Sequence, residues 1–190
     1  ASRSRTGVPP SRAPTHAVVL GSVLWAVADE LARRVELPYQ ACPDWPASTA
    51  IGHDGKLVLG RLDGLDLAVL AGRSHLYEGH SADKVAFAVR VLSQLGVRSI
   101  VFTNAAGGIN LALEQGGLVL ISDHINLQGV NPLTGPNDDA HGPRFPEVSA
   151  AYSPEYRAMA PGVAGDRGAG GGNLEDGRCH PCTSSPRGGP

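Results

Sequence analysis

No apolar run in this sequence approaches the roughly 20 residues needed to cross a bilayer. The opening stretch, ASRSRTGVPPSRAPTH, also lacks the apolar core of a secretion signal. A cytoplasmic protein with no membrane partner is the expectation. An excess of one charge is missing too: 16 basic and 18 acidic residues leave a formal net charge of -2, which gives nucleic acid no electrostatic footprint. A small-molecule partner fits better. Cysteine is scarce, with Cys42 alone and Cys179 and Cys182 in a CHPC pair, too few for a disulfide framework, so reduced thiols are expected. CHPC is half of a zinc or redox motif without a second CxxC or HxxxH, and chance spacing is the favoured reading.

The tail, 161–190, lacks aromatic residues altogether and keeps only Val163 and Leu174 as large aliphatics among nine glycines and four prolines. Such a segment cannot bury enough apolar surface to offset the entropy of ordering it, so it reads as disordered. Residues 1–16 form a polar N-terminal segment, and 17–160 carry the foldable pattern. A chain of 190 residues suits one ordinary domain.

Within that middle, AVVL (17–20) reads as a buried strand. Gly21-Ser22 follows it, and Val23, Val27, Leu31 and Val35 then recur at helical spacing. KLVLG (56–60) and LDLAVLAG (65–72) flank a turn-like RLDG and predict a hairpin. Val85, Val89, Leu92 and Leu95 predict a helix over 82–95 that Gly96 stops. SIVF (99–102) and LVLIS (118–122) add two buried strands. Strands alternating with helices predict an α/β domain, three layers deep, around a mixed and mostly parallel sheet.

In such sheets ligands sit beyond the carboxyl ends of the strands. The residues there are Gly21-Ser22, the loop Arg73-Ser74-His75-Leu76-Tyr77-Glu78, the run Thr103 to Gly108, and Asp123-His124. Small residues let backbone N–H groups approach an oxyanion or a flat ring. A plain strand-to-helix turn explains the same glycines equally well. Arg73 and His75, at i and i+2, fall on one side of an extended loop and suit a phosphate or carboxylate. The plainer alternative is a solvated arginine beside a backbone-bonded histidine. Tyr77 reads as a core edge or a ligand contact, and His53 as an exposed turn residue. His75, His80 and His124 lack metal-ligand spacing, so no metal is expected.

Collected in order, GRSHLYEGHS, VFTNAAGGIN, LISDHINLQGVNPLTGPND and GPRFPEVSAAYS resemble the trimeric, low-molecular-mass class of purine nucleoside phosphorylase. The resemblance runs from about Val18 to Met159. It implies reversible phosphorolysis of purine (deoxy)ribonucleosides to free base and pentose 1-phosphate, with inorganic phosphate as co-substrate and no other cofactor. It further implies phosphate binding by Ser22, His53, Arg73, Ser74, His75 and the backbone of Ala105, and ribose contact by Tyr77. Ala106 and Gly107 would line the base site, and Phe145 would reach a neighbouring subunit's site in a homotrimer.

The chain departs from the family's pattern at two places. Gly21-Ser22-Val23-Leu24-Trp25 stands where members carry a glycine-rich GSGLG or GSGW, and β-branched Val23 resists positive φ. The glutamate and asparagine that grip the purine, the Met-Ser pair and the late histidine are not recognisable in 161–190, which looks like translation in a wrong frame. Turnover by this chain is therefore expected to be weak or absent. The alternatives are an inactive remnant that binds phosphate or joins intact subunits, and a methylthioadenosine phosphorylase.

Overall fold

The computed structural model describes residues 13–21, 24, 26–46, 55–111, 113, 115–166 and 175–179. They fall into two compact units, Ala1–Ala105 with Asn131–Gly135, and Ala106–Val130 with Pro136–Pro190.

The first unit is built on β1 (His16–Leu20), α1 (Ala26–Asp29), β2 (Ala32–Pro38), β3 (Lys56–Leu62), β4 (Leu65–Ala71), α2 (Ala82–Gln94) and β5 (Ser99–Phe102). Its strands form one mixed sheet in the order β2-β3-β4-β1-β5. β1 lies parallel to both β4 and β5, whereas β3 pairs antiparallel with β4 and with β2. The hairpin read from RLDG is present. Asp63 (φ 48) and Gly64 (φ 86) both take positive φ, the pair of conformations that matches the right-handed twist of the flanking strands.

Alternation along the strands sorts apolar side chains onto two faces. Ala17, Val19, Leu57, Leu59, Ala68 and Leu70 form one core cluster with Tyr39 and with Leu92 of α2. Leu20, Val58, Leu67, Val69 and Ala71 form the other, with Ala28 of α1 and Leu31. Both faces of the sheet are thus covered, which gives the expected three layers.

The helix stop at Gly96 holds as well. Gly96 has φ 94, its N–H donates to the Ser93 carbonyl at 3.0 Å, and Val97 N–H donates to Leu92 at 3.1 Å. That bond pattern closes a helix through a left-handed residue.

The helical reading of residues 23 to 35 needs correction: among the described residues of that stretch only Ala26–Asp29 is helical, and Ala32–Pro38 is a strand. Val27 and Leu31 do pack against the core, as the spacing predicts. Leu31 lies so close to Gly60 that a Cβ there would sit 2.8 Å from the Leu31 Cβ, and this fixes the chain against β3. A bulge with Arg33 at φ 52 then turns the segment into an edge strand. Arg34–Glu36 and Lys56–Glu36 ion pairs dress that edge with charge.

The second unit contains β6 (Val119–His124), α3 (Pro154–Asp166) and β7 (Glu175–Cys179), with β7 parallel to β6. Composition sets the end of the folded part at residue 160, and α3 runs past it to Asp166. Pro161 inside that helix lacks an N–H and costs about 3 kcal/mol, and Gly162 and Gly165 about 1 kcal/mol each, so this continuation runs against intrinsic propensity, and β7 lies past residue 160 as well. Among the described residues no helix is long and apolar enough to cross a membrane.

Candidate functional site

Because β4, β1 and β5 are parallel neighbours, their carboxyl ends meet along one rim of the first unit. Three segments leave that rim: Gly21 after β1, Gly72 to Glu78 after β4, and Thr103 to Ala105 after β5. Thr103 ties two of them together. Its Oγ1 donates to the Val19 carbonyl at 2.9 Å and accepts the Gly21 N–H at 2.8 Å, while its own N–H donates to Val19 at 3.0 Å. The approach is so close that a Cβ on Gly21 would lie 3.0 Å from both the Asn104 Cα and the Thr103 carbonyl oxygen. Backbone cannot yield there as a side chain would, so the position demands glycine.

Arg73 fastens the same rim from the third segment. Its Nη1 donates to the carbonyls of Leu20 (3.2 Å) and Thr103 (2.9 Å), placing a fixed cation where the ends of β1 and β5 converge. Burial pulls the guanidinium pKa down, while the nearby Tyr77 pushes it up. An arginine nevertheless stays cationic at neutral pH.

Gly72, at φ 109, is the joint by which the chain leaves β4 for this loop. Ser74 is buried, and its hydroxyl donates to the Pro46 carbonyl at 3.4 Å. His75 N–H donates to Glu78 Oε1 at 2.7 Å, and Glu78 N–H donates back to the His75 carbonyl at 3.2 Å. This reciprocal pair closes a single 3-10 turn over Leu76–Glu78, ended by Gly79 at φ 86. The His75 and Tyr77 rings stack with centroids 4.7 Å apart, and Tyr77 is exposed.

Beneath the loop runs the segment from Tyr39 to Pro46. Tyr39 is fully buried, and its hydroxyl donates to the Gly72 carbonyl at 2.7 Å. Its ring stacks on Trp45 at 4.4 Å, and Trp45 meets the edge of Phe87 of α2 at 5.7 Å. Burial, with the Cys42 thiol close by, drives the Tyr39 phenol far above its ordinary pKa.

Of the residues expected at the site, Arg73, Ser74, His75, Tyr77 and Ala105 belong to the first unit, the first four on one loop and Ala105 at the end of the β5 segment. Ala106, Gly107 and Phe145 belong to the second. A Cβ on Gly107 would meet nothing within 4 Å, so packing does not require its glycine. Phe145 is 88% exposed. Also in the second unit, Asp123 Oδ1 accepts the His124 N–H at 2.8 Å, and the His124 ring bonds the Tyr152 hydroxyl. Ser22, His53 and Cys182 lie outside the described residues. Among the described residues no three His, Cys, Asp or Glu side chains converge as a metal site would require.

Sequence reading missed the roles of Thr103 and Tyr39. Thr103 stands in a loop the pattern singles out, but nothing local marks its hydroxyl as the clasp. Tyr39, in LPYQAC, carries no signal at all.

Residues 15–186 match the model of the phosphorylase superfamily. The chain is 51% identical over 155 residues to purine nucleoside phosphorylase 1 of Geobacillus stearothermophilus, covering 82% of this chain and 57% of that relative. It thus spans little more than half the length of the curated relative it matches. The fold is similar to Schistosoma mansoni purine nucleoside phosphorylase in complex with adenosine, at TM-score 0.82 and 40% identity, covering 93% of this chain and 64% of that one. It is also similar to a purine nucleoside phosphorylase in complex with ribose 1-phosphate, at TM-score 0.77 and 42% identity, covering 83% and 59% respectively.

Proposed function

This chain belongs to the phosphorylase superfamily, and from that membership we propose that it carries the phosphate and pentose side of a purine nucleoside phosphorylase site. The observation that carries the reading is Arg73 fixed at the meeting point of the β1 and β5 ends, beside the ordered His75 and Tyr77. A fixed guanidinium, an imidazole and small-residue backbone suit a phosphate dianion held below a sugar. The relatives bound to adenosine and to ribose 1-phosphate support the same substrate class.

In the proposed reaction a phosphate oxygen attacks the anomeric carbon as the bond to the purine nitrogen breaks. The electron pair of that bond leaves with the base, which takes up a proton. Arg73 and His75 would hold the attacking dianion beside the positive charge that develops on the sugar, so positioning and charge stabilisation supply the rate. Phosphate is the co-substrate, and the reaction requires no metal or organic cofactor. Tyr77 would face the ribose, Ala106 and Gly107 the base, and Phe145 the site of another subunit in a homotrimer. Ser22, His53, Ser74 and the backbone of Ala105 complete the proposed phosphate set.

Two measurements test the reading. Inorganic phosphate at millimolar concentration should raise the melting temperature of the chain, since a ligand of the folded state stabilises it. Hypoxanthine release from inosine should require phosphate. A melting temperature indifferent to phosphate, together with no phosphate-dependent release, overturns the proposal.

A further inference from the structure

We propose that Tyr39, with Trp45 behind it, is the positioning residue that aims the Arg73–His75 loop. The loop leaves β4 through Gly72, whose φ of 109 is open to glycine and strained for other residues. A glycine joint does not fix its own direction, so the heading of Arg73 must come from contacts outside the joint. Two such contacts bracket Arg73, and both come from one segment. On one side the Tyr39 hydroxyl holds the Gly72 carbonyl at 2.7 Å, and on the other the Pro46 carbonyl holds the Ser74 hydroxyl at 3.4 Å.

The segment has its own anchors. Tyr39 N–H donates to the Gly55 carbonyl at 2.8 Å, and Cys42 N–H donates to the Tyr39 carbonyl at 3.0 Å. The Tyr39 ring is then pinned by Trp45, which rests against Phe87 of α2. The Tyr39 side chain is 1% exposed, so phenylalanine would fill the same space; the hydroxyl is the part directed at the loop. A buried carbonyl deprived of its partner seeks another, and the glycine joint lets it turn.

The test is Tyr39→Phe in the full chain, read in two ways. Amide hydrogen exchange should quicken at least about fivefold at His75, Glu78 and Gly79, the loss of one net hydrogen bond, while Val58 and Val69 in the sheet stay unchanged. This readout does not depend on the proposed function. The second readout rests on that function: phosphate affinity should fall about five- to tenfold. Trp45→Leu, which keeps the hydroxyl but removes its support, should act in the same direction and serves if Tyr39→Phe does not fold. Unchanged loop exchange, or exchange quickened equally across the sheet, overturns the inference. Local quickening in a chain that never binds phosphate upholds the positioning role and overturns the phosphate reading instead.

Discussion

Thr103 is one side chain with two bonds, one to Val19 of β1 and one to Gly21 just past it, 84 and 82 positions away in sequence. Replacing it with valine keeps the volume and leaves the buried Gly21 N–H without its acceptor, which should cost about 1 to 3 kcal/mol in urea denaturation. Serine at the same position should recover most of that loss. Tyr39 gives a second expectation, in pH. Its folded-state pKa is raised by burial and by the nearby Cys42, so its contribution is complete below the ordinary phenol range and declines as pH climbs above about 10. Burial raises the Cys42 pKa as well, which adds to the same alkaline decline. Tyr39→Phe should therefore remove about one proton from the slope of stability against alkaline pH, or about 1.4 kcal/mol per pH unit over that limb. The place of Arg73 and His75 on a loop at the strand ends was legible in the sequence, because charged and titratable groups stand out after an apolar strand. Thr103 and Tyr39 were not, because their roles are set by partners that the fold alone brings near.

At the scale of elements, the β3–β4 hairpin shows what local chemistry can announce. Asp63 and Gly64 both need positive φ, and Asp-Gly is the pair that tolerates it. Gly64→Ala should destabilise the first unit by about 1 to 2 kcal/mol, visible as a lower urea midpoint at constant slope. The helix over 82–94 and its glycine stop were equally legible, since the pattern and the stop signal agree. β2 was not. Val27 and Leu31 carry true helical spacing, but β3 would otherwise present an unpaired edge, and sheet pairing outweighs a propensity worth a few tenths of a kcal/mol per residue.

At the scale of the whole molecule, burial is unevenly shared. Val58, Ala68 and Val69 are fully buried in the first unit, whereas Leu111, Ile109 and Phe145 of the second are largely exposed. Exposed large apolar side chains favour association. Light scattering should find the chain self-associating as concentration rises. Phe145→Ser should weaken that association without moving the urea midpoint of the sheet. The family resemblance was legible because its motifs fall on loops along one chain; how the second unit buries its surface depends on contacts beyond any motif.

The position of β1 has a consequence for the order of assembly. β3 and β4 are joined by a two-residue turn and can pair as soon as both exist, on the order of microseconds. β1 must close a loop to Leu67 before its parallel bonds to β4 can form, and another, longer one to Ser99 before β5 can flank it. During synthesis from the amino terminus, β1 emerges before the other four strands of its sheet and is therefore the one that waits longest to be enclosed on both sides.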